Sequence, residues 1–133
     1  MKLKLELRNK FHCPEGKWRG QCEYIDAPKK LIKHMGTEQV RIRFSVDTDD
    51  GEKLVARTFS SELHPGTELY GFLYSWLGED LIGLVDEEGE IDLELLIGEQ
   101  ADLYIVHGKK TAEYSYPVVL INGIYPPGRL IRE

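Results

Sequence analysis

Residues 38–47 read Glu-Gln-Val-Arg-Ile-Arg-Phe-Ser-Val-Asp, and this stretch decides the fold. Val40, Ile42, Phe44 and Val46 fall on every second position, with Arg41, Arg43 and Ser45 between them. A period of two puts one set on each face of a β-strand. The apolar set is expected to fill a core, and the two arginines to face solvent. Asp49-Asp50-Gly51 follows directly. Asp and Gly tolerate the positive φ that tight hairpin turns require. Lys53 to Ser60 then returns as the partner strand.

On the N-terminal side, Lys17 to Asp26 sets Trp18, Cys22 and Tyr24 against Lys17, Arg19, Gln21 and Glu23. This predicts a half-buried strand with Gly20 as a bulge or bend. Leu3, Leu5 and Leu7 alternate with charged residues in Met1 to Arg8, which fits an edge strand or an ordered arm. Ala27 to Thr37 reads as a loop holding Lys29, Lys30, Lys33 and His34.

On the C-terminal side the period changes after Pro65-Gly66. Leu69, Phe72, Leu73, Trp76 and Leu77 form one apolar stripe at helical spacing. Thr67 is the expected N-cap and Gly78 the expected stop. Glu79 to Glu90 is an acidic loop, and Asp92 to Ile97 a further helical turn. Ala101 to His107 and Tyr114 to Ile124 read as the last two strands, joined by Gly108 to Glu113. Pro117 puts the last strand at an edge or a bulge.

The order strand, strand, strand, helix, strand, strand predicts a mainly β fold. The expectation is an OB-like five-stranded barrel with one helix between strands 3 and 4. One OB-like domain then covers residues 1–133, with 1–12 as an N-terminal strand or arm and 126–133 as a C-terminal extension. No apolar run approaches the roughly 20 residues of a membrane helix, and no signal peptide is evident. A cytoplasmic protein is the expectation. Cys13 and Cys22 make no disulfide framework.

Charge is sorted along the chain. Residues 1–61 hold 13 Lys/Arg against 9 Asp/Glu, whereas residues 62–102 hold 12 Asp/Glu and no Lys or Arg. The basic flanks suit a polyanion, and the acidic middle suits either a solvated surface or a basic partner.

Cys13-Pro-Glu-Gly-Lys-Trp18, Arg57-Thr-Phe-Ser-Ser-Glu-Leu-His64, Phe72-Leu-Tyr-Ser-Trp-Leu-Gly78 and Asp92-Leu-Glu-Leu-Leu-Ile-Gly98 also carry a resemblance. Over residues 13–125 the chain resembles a group of small phage and prophage proteins of OB type that bind single-stranded DNA. The resemblance implies a setting among phage replication and recombination functions. The acidic C-terminal docking tail common in bacterial single-strand binding proteins is missing, since the chain ends Arg129-Leu-Ile-Arg-Glu133.

Single strands are held by a basic groove and by aromatic platforms on which bases stack. Arg41 and Arg43 face outward by alternation, and Arg57 is expected to join them from the partner strand. Strict alternation places Phe59 beside Arg57, as a stacking platform, unless a bulge near Thr58 turns it into the core or it lies under the helix. Lys29, Lys30 and Lys33 in one loop and Lys109 and Lys110 in another are expected to flank the same groove. Tyr114 offers further stacking. The acidic middle is expected to lie around the helix, away from this groove.

No phosphate loop, serine nucleophile elbow or His-Glu-x-x-His is present, so neither an enzyme nor a cofactor is expected. The Cys and His spacing does not suit zinc. The expected partner is single-stranded DNA, with RNA as the variant. A protein docking on the acidic 62–102 region, with no nucleic-acid role, is the alternative function. Homo-oligomers through the strand Lys2 to Arg8 are a third reading. No membrane partner is expected.

Overall fold

The computed structural model describes residues 10–27, 31–32, 38–110 and 117–131. The elements run β1 (Gly16–Asp26), β2 (Leu31–Ile32), β3 (Gln39–Thr48), β4 (Gly51–Ser60), α1 (Glu68–Leu77), α2 (Asp80–Gly83), β5 (Glu90–Ile91), a 3-10 turn (Leu93–Leu96), β6 (Gln100–Lys110) and β7 (Pro117–Tyr125). The expected strand over Met1 to Arg8 lies outside the described residues, as does most of the loop between β1 and β3. Among the described residues no helix is long and apolar enough to cross a membrane.

The fold is mainly β. Five long strands form one antiparallel sheet in the order β4-β3-β1-β6-β7, and β2 pairs with β5 as a separate two-stranded piece. β4 and β7 are the sheet edges, and no ladder joins them among the described residues. The expected barrel is therefore not closed by strand pairing. The two edges nevertheless approach each other, and Arg57 Nη1 donates to the Ile121 carbonyl across them at 3.4 Å.

The hairpin forms as its sequence dictates. Thr48 pairs with Gly51, whose φ is 103°, and the Thr48 hydroxyl ties the turn by accepting from Asp50 N. Val40, Ile42, Phe44 and Val46 are all buried. Helix α1 starts at the expected cap, with Thr67 Oγ1 accepting from Tyr70 N at 3.3 Å, and stops at Gly78 with φ 60°. Its stripe Leu69, Phe72, Leu73 and Trp76 is buried on the sheet. Trp76 stands edge-on to Phe44 at 5.3 Å and donates its indole N–H to the Gln100 carbonyl at 2.9 Å.

Gly20 is needed for a close approach rather than for a bulge. A Cβ there would sit 2.8 Å from Leu103 Cδ1 and 3.4 Å from Phe44 Cβ. Leu103 is fully buried, so its methyl has nowhere to retreat. Gly20→Ala is expected to lower stability by about 1–3 kcal/mol, the usual range for overpacking a core. Thermal unfolding checks it, and an unchanged midpoint contradicts the close approach.

Both cysteines are buried and free. Burial pushes the Cys22 thiol up to about 12 and the Cys13 thiol up to about 11, the latter against an opposing pull from Lys53. Buried thiols of this kind are inert packing groups.

Candidate nucleic-acid interface

Directly opposed residues in an antiparallel pair project to the same face. β3 and β4 pair Val40 with Phe59, Ile42 with Arg57 and Phe44 with Val55. Arg57, Phe59 and Val55 do share a face, as alternation predicts, but it is the core face. Phe59 is 3% exposed and packs on Phe72 at 4.9 Å between ring centroids. The outward stacking role expected of Phe59 is thereby overturned.

Arg57 reaches the rim of that core and does not join Arg41 and Arg43. Its guanidinium lies 5.0 Å from the Phe59 ring centroid and 5.7 Å from that of Phe72. Its Nη2 is 3.7 Å from the Glu68 carboxylate. These contacts, with the bond to Ile121, make it a brace between the two sheet edges.

The outer face of β1, β3 and β4 holds a different constellation. The β1–β3 register runs Cys22 opposite Phe44 and then Tyr24 opposite Arg43, so Glu23 is the extra residue of a bulge. Cys22 stays in the core, and Tyr24 turns outward with 44% of its surface exposed. Strict alternation had put the two on one face. The Arg43 guanidinium lies 4.8 Å from the Tyr24 ring centroid. Its Nη2 donates to Glu23 Oε2 at 3.1 Å, while its buried Nε has no hydrogen-bond partner among the described residues. Arg41 is exposed and sits opposite Asp26 on β1 and Thr58 on β4. The patch thus offers an aromatic ring, two guanidiniums and two carboxylates.

The remaining expected site residues are placed only in part. Lys29, Lys30, Lys33 and Tyr114 lie outside the described residues. Lys109 and Lys110 end β6, where Lys110 pairs with Pro117. Leu31–Ile32 pairs with Ile91 and Glu90, which ties the basic loop to the acidic segment.

Arg19 belongs to the architecture. It donates to Asp102 Oδ1 at 2.5 Å, and Asp102 has no exposed surface. The other carboxylate oxygen accepts from Gly128, Leu130 and Ile131 N at 2.9, 3.0 and 2.9 Å. Burial alone raises the Asp102 pKa, but the Ile131 N–H, Arg19 and the Leu130 N–H outweigh it and hold the carboxyl below its ordinary value. Comparison with protein-family models, curated proteins and solved structures finds no match.

Proposed function

We propose that the chain binds single-stranded nucleic acid, DNA before RNA, without sequence preference, across the outer face of β1, β3 and β4. The observation that carries this reading is the exposed Tyr24 ring with Arg43 beside it on a sheet face. Bases stack on aromatic rings, and guanidinium groups hold phosphates. The strand order supports it too. A helix between the third and fourth long strands, with the third and fifth as edges, suits a partly open OB-type barrel, whose second and third strands form the binding face. The resemblance to phage single-strand binding proteins supports a role in replication or recombination.

In this reading Arg41 and Arg43 meet phosphates, and the lysines of the two loops add long-range attraction. Glu23 holds the Arg43 guanidinium in place before the ligand arrives. An incoming phosphate must displace that carboxylate. Glu23→Gln is therefore expected to tighten binding, because the neutral amide competes less well for the guanidinium.

The test is fluorescence anisotropy with labelled single- and double-stranded oligonucleotides at about 50 and 200 mM salt, across which phosphate contacts weaken strongly. Single strands are expected to bind better than duplex, and more weakly at the higher salt. Tyr24→Ala is expected to cost about 1–3 kcal/mol of affinity for each base it stacks. Tyr24 is half-exposed, so this variant keeps the core. Unchanged affinity in the folded variant removes the platform from the site. Absence of binding at low salt favours the alternative, a protein-docking module, in which the Glu23–Arg43 ion pair is only a cross-strand contact.

A further inference from the structure

The outer face of the sheet carries a second aromatic cluster, away from Tyr24. Lys17 on β1 stands directly opposite Tyr104 on β6. The next pair, Trp18 and Leu103, packs into the core, so Lys17 and Tyr104 project outward. Lys17 is exposed, and Tyr104 keeps 40% of its surface exposed. On the other side of Tyr104, β7 offers Gly123 in register. The Tyr125 ring takes the space a side chain would fill there, since a Cβ on Gly123 would meet Tyr125 Cε2 and its hydroxyl oxygen at 3.1 Å. A lysine and two tyrosine rings thus lie side by side across three strands. Leu120 pairs with Val106 next to them and extends the apolar surface.

The charge on this face is one-sided. Between Lys17 and Gln21 on β1, Asp102 and Val106 on β6, and Leu120 and Tyr125 on β7, the sole carboxylate is Asp102. Arg19 and three backbone N–H groups engage it fully. Those N–H groups lay the segment after β7 across the outer face, and Arg129 is exposed within that segment. The side chains of Lys17 and Arg129 make no ion pair among the described residues. Exposed rings beside unpaired cations suit an anion that also stacks, and single-stranded nucleic acid is such a ligand. An acidic peptide supplies the charge without a ring to match each one. The same strand, β1, carries both patches, Tyr24 at one end and Lys17 at the other. The two are roughly 20 Å apart at the usual rise of a strand. A single strand within the roughly 4–16 nucleotides that one OB-type module occupies can reach both.

We propose that Tyr104 and Lys17 form a second subsite for the same single strand, with a base stacked on Tyr104 and phosphates against Lys17 and Arg129. The inference rests on the nucleic-acid reading of the Tyr24 face. It lengthens the footprint from β1, β3 and β4 onto β6 and β7.

Anisotropy with labelled oligothymidylates of about 5 and about 15 nucleotides tests it, lengths near the two ends of that range. The wild type, Tyr104→Ala, Lys17→Ala and Tyr24→Ala are compared at several salt concentrations, with circular dichroism to show that each is folded. Tyr104→Ala is expected to bind the longer strand at least about five-fold more weakly, the loss of one stacked base at the low end of its usual range. Lys17→Ala is expected to reduce the slope of log affinity against log salt by about 0.7, one phosphate contact on a single strand. The gain in affinity from the shorter to the longer strand should shrink in both variants. Full affinity of Tyr104→Ala for the longer strand, or an unchanged salt slope in Lys17→Ala, overturns the second subsite, while a loss in Tyr24→Ala keeps the first. Dimerisation of the wild type that Tyr104→Ala abolishes, with affinity for the longer strand unchanged, assigns the face to a second copy of the chain and overturns it too. No binding of either strand to the wild type overturns both readings.

Discussion

Asp102→Ala is expected to lose about 3–5 kcal/mol of folding stability, the usual cost of breaking a buried charge pair. The lower end applies, because the Arg19 side chain keeps 27% exposure and its guanidinium can recover water. The loss has two sources. Arg19 is left without its carboxylate, and three backbone N–H groups lose their common acceptor. Those N–H groups belong to the segment after β7, which Asp102 fastens over the sheet. Amide hydrogen exchange should therefore show Gly128, Leu130 and Ile131 losing protection before the core does. Protected amides at these positions and an unchanged unfolding midpoint in Asp102→Ala rule out the clasp.

The same carboxylate predicts the acid limb of stability. Its folded pKa lies below the ordinary value of 3.8, so folding favours the charged form. The contribution is fully present above that unfolded value and is lost as pH falls through the lower folded value. Asp102→Asn should flatten the fall in stability through this acid range, measured by denaturant unfolding across pH. A wild-type curve no steeper than that of Asp102→Asn contradicts the assignment.

Much of the fold was legible in the residues. The period of two over Val40 to Val46 predicted β3, and Asp49-Asp50-Gly51 predicted its turn, because both signals are local. The helical stripe from Leu69 with Thr67 and Gly78 at its ends predicted α1 for the same reason. Legibility stopped where tertiary register took over. A single extra residue at Glu23 moves Tyr24 from the expected inner face to the outer one, and such a bulge leaves no mark in the composition of the strand. Arg57 misled because a cation in an alternating strand is read as outward. Here its stem shares the face of Ile42, and its head escapes at the sheet edge over two aromatic rings. Asp102 read as the end of an acidic run. Its burial comes from residues 126–131 folding back, a long-range event with no local signal beyond Pro126-Pro127-Gly128.

The position of Phe59 gives the other large effect. Phe59→Ala is expected to cost about 3–5 kcal/mol, the usual range for removing a buried phenylalanine side chain. The ring sits in a chain of aromatic contacts, 4.9 Å from Phe72, which lies 6.4 Å from Phe44. Arg57 covers it from the rim. Truncation therefore opens a cavity beneath α1 and removes the surface on which Arg57 rests, loosening the brace between β4 and β7. Denaturant unfolding measures the loss. Phe59→Leu, which fills most of the volume, serves as the folded stand-in for binding. Its affinity for single strands should equal that of the wild type, while Tyr24→Ala weakens binding with little change in stability. The two aromatics thus separate by readout, one in folding and one in affinity. The reverse pattern, with Phe59→Leu stable but weak in binding, returns Phe59 to the outer face and removes the reason for choosing Tyr24. Register, more than residue type, decides which aromatic a base can reach. Both rings lie beside an arginine, and only the bulge at Glu23 gives Tyr24 the solvent side.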